Sequence, residues 1–113
     1  MAPRSPTVEF LWWEGCPSSD DALSLLREEM SAHGLDPDSI AVREVSTDAE
    51  AHRERFAGSP TIRVDGRDVQ PTTHDELGLS CRVYRLRDGR ISPVPDRADV
   101  RETLEHAIDG GED

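Results

Sequence analysis

The chain has 113 residues, enough for one packed core and too short for two. Hydrophobic residues make up 35% and charged residues 33%, and 24 acids against 13 bases leave a net charge of −11. That charge argues against sequence-independent nucleic-acid binding, which depends on neutralising phosphates, and equally disfavours an anionic membrane surface.

Residues 1–7 and 110–113 read as flexible tails around a single domain over 8–109. Residues 8–13 hold the apolar run Phe10, Leu11, Trp12, Trp13, the mark of a strand buried on both faces. Glu14-Gly15-Cys16-Pro17 breaks it. Ser18 or Ser19 then caps a helix with Asp20 and Asp21 in its first turn, an apolar stripe of Ala22, Leu23, Leu25, Leu26 and Met30, and a stop at Gly34. Alternation of Ile40 and Val42 with charged neighbours predicts a second strand over 40–45. A short charged helix over 47–56 follows, capped by Ser46 or Thr47 and closed by Gly58. Residues 61–64 and 67–69 flank Asp65-Gly66, a two-residue hairpin signal. Residues 70–95 form an irregular insertion, within which 82–86 alternates like a further strand turning at Asp88-Gly89. Val100, Leu104, Ala107 and Ile108 put an amphipathic helix over 99–108. The order β-α-β-α-β-β-α, with its insertion before the last helix, predicts a mixed α/β sandwich: a parallel β-α-β unit, then a hairpin covered by the final helix.

All 13 basic residues are Arg, and without Lys neither Schiff-base catalysis nor a P-loop lysine is open to the chain. No run of about 18 apolar residues occurs, so no transmembrane helix is expected, and the first seven residues lack the apolar stretch of a signal peptide. Two cysteines, Cys16 and Cys81, are too few for a secreted disulfide scaffold. They fit a cytoplasmic location, where such residues serve reactivity, metal binding or burial.

Cys16 directly follows a buried strand and directly precedes a helix. Unpaired backbone N–H groups and the positive end of the helix dipole favour a thiolate there. Glu14, Asp20 and Asp21 oppose it, so the expected thiol pKa is only modestly depressed. The other reading of Cys16 is a surface thiol that happens to precede a helix.

The strand–Gly-Cys-Pro–helix arrangement, together with Gly58-Ser59-Pro60-Thr61-Ile62, resembles the thioredoxin-like superfamily over about residues 8–69. It is similar to small thioredoxin-like proteins of GC-rich bacteria that pair a Gly-Ser-Pro-Thr segment with a later Ser-Cys-Arg-Val-Tyr segment, some of them labelled as alkylmercury lyase relatives. The resemblance implies a thioredoxin-like sandwich and a thiol redox activity with Cys16 as nucleophile. It also implies a cis-proline at Pro60 whose exposed neighbouring backbone aligns an extended partner. Trp13, Gly15, Pro17 and Ser19 around the thiol, with Ser59 and Thr61 around the proline, are the implied binding residues. The second cysteine of a thioredoxin dithiol would stand at Ser19, so Cys16-Pro17-Ser18-Ser19 cannot close a local disulfide. Cys81, 65 positions further on, is the candidate resolving thiol if its sulfur reaches Cys16; otherwise it is a small buried hydrophobe at a strand edge.

One of Trp12 and Trp13 belongs in the core, and the other, facing oppositely, can line the rim near Cys16. Tyr84 is ambiguous in the same way. His33, His52, His74 and His106 share no metal-ligand spacing, leaving a Cys16–His74–Cys81 set as the one conceivable metal site. The expected function is a cytoplasmic thiol–disulfide redox protein acting on a protein or small-molecule thiol or disulfide, without cofactor or structural metal. The alternative is a non-catalytic thioredoxin-like binding module that captures a soft metal or an organomercurial between the two cysteines.

Overall fold

In the computed structural model, which describes residues 5–71 and 77–109, the chain begins with β1 (Val8–Trp12), α1 (Ser19–Ala32), a 3-10 turn (Pro37–Ser39) and β2 (Ala41–Glu44). It continues through α2 (Asp48–Arg53), the hairpin strands β3 (Thr61–Val64) and β4 (Arg67–Asp68), a small ribbon of β5 (Tyr84–Arg85) and β6 (Ile91–Ser92), and α3 (Arg97–Ile108). The fold is mixed α/β. Four strands form one sheet in the order β2-β1-β3-β4, with β1 parallel to β2 and antiparallel to β3, and β3 antiparallel to β4. No helix among the described residues is long and apolar enough to cross a membrane.

Strand alternation sorts β1 into two cores. Val8 and Phe10 pack with Ala22, Leu26 and Met30 of α1 and with Val100 and Leu104 of α3. Leu11 points the other way, into a smaller cluster with Val45, Ala51 and Phe56 beside α2. The same rule separates the tryptophans: Trp12 packs against the first cluster and Trp13 against the second.

Helix ends follow local chemistry. Gly34, at φ +74°, lets the Leu35 N–H turn back to the Met30 carbonyl (2.9 Å) and closes α1 as expected. At the start of α2, the Thr47 hydroxyl accepts from the Glu50 N–H (3.1 Å). The Glu50 carboxylate accepts in turn from the Ser46 N–H and hydroxyl, both at 2.9 Å. The end of α2 corrects the expectation that it runs to Phe56 and stops at Gly58. The helix ends at Arg53, and Arg55 takes the left-handed conformation (φ 55°) while the Phe56 N–H returns to the Ala51 carbonyl (2.7 Å). Asp65 and Gly66 both have positive φ (52° and 81°), which matches the twist of the β3–β4 hairpin. Asp96 caps α3 two residues ahead of the expected start by accepting from the Ala98 N–H (2.9 Å).

The segment before α3 departs most from the sequence reading. Only Tyr84 and Arg85 of residues 82–86 form a strand, paired with Ile91 and Ser92 across the Asp88-Gly89 turn. Just ahead of them, a single parallel bridge joins Cys81 to Ser59.

Candidate active site

Cys16 sits in the turn between β1 and α1, where its N–H donates to the Trp13 carbonyl (3.1 Å). It is not a surface thiol: only 6% of its surface is exposed. Its Sγ lies 3.1 Å from the Ser18 hydroxyl and 3.2 Å from the Ser59 carbonyl. Ser18 occupies the N-cap position of α1 but makes no side-chain capping bond; its hydroxyl lies between the Cys16 sulfur and the Pro93 carbonyl, 3.5 Å away.

Ser59 is the hub that assembles the site. Its N–H donates to the Ser80 carbonyl and its carbonyl accepts from the Arg82 N–H, both at 2.8 Å. Its hydroxyl accepts from the Trp13 N–H (2.9 Å) and lies 3.2 Å from the Ser19 hydroxyl. Residues 80–82 are thereby laid along residues 58–60, and the exposed Cys81 is brought beside Cys16. Both thiols are free. Cys81 is therefore no buried hydrophobe. Its Sγ lies 4.0 Å from the Gly15 carbonyl.

Close approach of these segments depends on Gly58, at φ +120°, where a Cβ would come within 3.0–3.2 Å of the Arg82 Cβ and backbone. Arg82 anchors the segment from below. Its buried guanidinium binds both Asp68 carboxylate oxygens (2.8 and 3.0 Å), donates to the Gln70 carbonyl, and lies 4.4 Å from the centre of the Tyr84 ring. Tyr84 is fully buried and its hydroxyl donates to the Pro60 carbonyl (2.6 Å).

Electrostatics separate the two thiols. Burial works against a Cys16 thiolate and is the largest single influence. Hydrogen bonds from the Ser18 hydroxyl and N–H, the Cys81 thiol and the Ser59 hydroxyl together outweigh it, so the Cys16 pKa is lowered. The Cys81 pKa is raised, first by its hydrogen bond to Cys16, then by burial and by the Cys16 charge. Of the two thiols, Cys16 is the more readily ionised.

A cleft of about 300 Å³ opens beside Cys16, between the first turns of α1 and the β1–β2 edge. Phe10, Trp12, Leu23 and Val42 line its apolar walls. Pro17, Ser19 and Asp20 form the rest of the lining.

These placements sort the expected site residues. Cys16, Pro17 and Ser19 line the cleft, and Cys81 stands beside Cys16. Trp13 does not line it: its ring lies over Gly15, where a Cβ would overlap it, and against the second core cluster. The Ser59–Pro60 bond is cis. The backbone beside it is not exposed, however: Ser59, Pro60 and Thr61 are buried and the Ser59 peptide groups are already paired. The Thr61 hydroxyl donates to the Gly58 carbonyl (2.6 Å), a structural role. Ser18 and Arg82 are positioning residues that the sequence reading missed. Ser18 looks like an ordinary helix cap, and Arg82 depends on contacts distant in sequence.

Among the described residues, no group of three or more His, Cys, Asp or Glu side chains is arranged to hold a metal ion. His74, and with it the Cys16–His74–Cys81 set, lies outside the described residues. No known protein family, curated protein or solved structure matches the chain.

Proposed function

We propose that this chain is a thioredoxin-like thiol–disulfide redox protein with Cys16 as nucleophile and Cys81 as resolving thiol. The observation that carries the reading is the Ser59–Cys81 bridge, which lays a second free thiol beside the first. The fold likeness is supported by the sheet order β2-β1-β3-β4, the thiol at the opening of the first helix, and Pro60 directly ahead of the hairpin. A chain with only two cysteines, and so no disulfide scaffold, fits a reducing compartment such as the cytoplasm.

The chemistry follows from the unequal thiols. The Cys16 thiolate attacks a disulfide R–S–S–R′, forms Cys16–S–S–R and releases R′S⁻, which takes up a proton. That bond removes the charge from Cys16, and with it the hydrogen bond and the repulsion that keep Cys81 protonated. Cys81 then ionises more readily and attacks the Cys16 sulfur. The Cys16–Cys81 disulfide forms and RS⁻ departs. Two protein thiols have been oxidised and one disulfide reduced to two thiols; an external thiol or dithiol reductant restores the pair.

Mass mapping across a glutathione redox series tests this. A reversible Cys16–Cys81 bond is expected, with Cys16→Ser abolishing turnover and Cys81→Ser trapping a mixed disulfide on Cys16. Two thiols that never pair, or a Cys81→Ser variant that turns over without trapping, would refute the resolving role. The same adjacency supports a second reading, capture of a soft ion such as Hg(II) or Cu(I) between two thiolates. Equilibrium dialysis without tight one-to-one Hg(II) uptake that depends on Cys16 would remove it.

A further inference from the structure

The redox chemistry leaves open what brings the disulfide to Cys16, and two features of the site narrow the choice. An extended polypeptide is aligned beside a thiol by pairing with a free backbone edge. Here that edge is occupied by the chain itself: the Ser59 N–H and carbonyl are held by Ser80 and Arg82, and the Pro60 carbonyl by the Tyr84 hydroxyl. Among the described residues, a cleft opens beside Cys16, and its volume of about 300 Å³ lies at the lower end of small-molecule sites. At roughly 30 Å³ per water-sized group, it holds a molecule of about ten non-hydrogen atoms.

The walls say what kind of molecule. Phe10, Trp12, Leu23 and Val42 present apolar surface, and Val42 keeps 44% of its own surface exposed at the mouth. Asp20 at the rim and the net charge of −11 repel an anionic disulfide. We infer that the substrate is a small, uncharged, apolar disulfide seated in this cleft; the inference rests on the redox reading above. Cys16 attacks one sulfur of R–S–S–R and releases RS⁻, which is protonated from solvent. Cys81 expels the second RS⁻ as the Cys16–Cys81 bond forms, so two electrons pass from the protein dithiol to the disulfide.

Single-turnover reactions of the reduced full-length chain test it with dipropyl disulfide, bis(2-hydroxyethyl) disulfide and glutathione disulfide as probes. Each rate is divided by that of a free small thiol with the same probe. The first two probes match in size and differ by methyl against hydroxyl, so their ratio reports the cleft. Dipropyl disulfide is expected to lead by about tenfold, the worth of seating its alkyl ends. Glutathione disulfide is expected to be slowest. Val42→Glu, at an exposed position, should remove the lead, with iodoacetamide alkylation of Cys16 correcting for any change in the thiol itself. Equal normalised rates with normal Cys16–Cys81 bond formation, or a lead that survives Val42→Glu, overturn the inference and leave the redox reading standing. Reduction of insulin's interchain disulfides as fast as dipropyl disulfide overturns the closed edge and the inference with it. Failure of every probe to produce a Cys16–Cys81 bond brings down both.

Discussion

Ser18 illustrates how a residue can hold one position and serve another purpose. A serine at an N-cap normally accepts from the second or third helical N–H, worth about 1 kcal/mol. Here its hydroxyl lies 3.1 Å from the Cys16 sulfur instead, and hydrogen bonding from Ser18 is the first of the effects that outweigh burial in favour of the thiolate. Ser18→Ala should therefore raise the Cys16 pKa and slow its alkylation at neutral pH by roughly tenfold or more, since one hydrogen bond to a charge is worth about 1.5 kcal/mol or more. The accompanying loss of stability should appear in the reduced chain, where the thiolate uses this bond, and not in the oxidised one. Alkylation rate against pH, read beside a urea melt, checks this; an unmoved pH profile with a weakened fold would make Ser18 an ordinary cap. The thiols also set opposite pH dependences in the reduced protein. Cys16, with its lowered pKa, contributes stability that is present above the ordinary thiol range and lost as pH falls through its folded pKa. Cys81, with its raised pKa, contributes stability present below that range and lost as pH rises through its own. Urea melts of reduced Cys81→Ser, which leaves Cys16 alone, should show stability rising with pH up to the ordinary thiol range. The location of Cys16 was legible because a buried strand, a Gly-Cys-Pro break and a capped helix are all local patterns. The duty of Ser18 was not, since a serine before a helix carries the same signature whether it caps or serves a sulfur.

The elements themselves were legible wherever sequence period and turn chemistry act over a few residues: β1, α1, the Asp65-Gly66 hairpin and α3 all lie near their expected places. Gly58 shows where that ends. It reads as the stop of α2, yet Arg55 closes the helix and Gly58 serves a contact with Arg82, 24 residues away. A one-residue bridge between distant segments has no period for a sequence to display, and this bridge determines whether the two thiols meet. Gly58→Ala forces a side chain onto φ +120° and a Cβ against the Arg82 backbone. A cost of about 2–3 kcal/mol is expected, with displacement of residues 80–82. Because Cys16 depends on α1 and Cys81 on the bridge, alkylation of Cys16 should persist in this variant while closure of the Cys16–Cys81 disulfide slows. Equal slowing of both would mean a general loss of fold. Arg82→Ala acts on the same bridge from the other side. It leaves Asp68 partly solvated, so the loss should be about 2–3 kcal/mol, below that of a fully buried pair. It should slow closure in the same selective way.

For the whole molecule, the proposed disulfide would join points 65 residues apart in a chain of 113. Closing a loop of that length stabilises by about 4 kcal/mol through the entropy removed from the unfolded chain. By linkage, the fold must favour the disulfide by as much as the disulfide favours the fold, and about 4 kcal/mol corresponds to roughly 90 mV at about 30 mV per 1.4 kcal/mol. The proposed cycling between dithiol and disulfide requires that this preference be opposed. The hydrogen bonds that favour the Cys16 thiolate oppose it, because they are lost when the sulfur is bonded to Cys81. The net gain on oxidation should therefore fall to about 2–3 kcal/mol once a charge-assisted bond of roughly 1.5 kcal/mol is lost. Urea melts of the oxidised and reduced chain measure it directly. A higher midpoint for the oxidised form within that range is expected, and the difference should vanish in Cys81→Ser. Removing the opposing bond with Ser18→Ala should widen the gap between the two forms towards the full loop-closure value. An oxidised chain no more stable than the reduced one would mean that bridging the two sulfurs strains the Ser59–Arg82 pairing that brings them together.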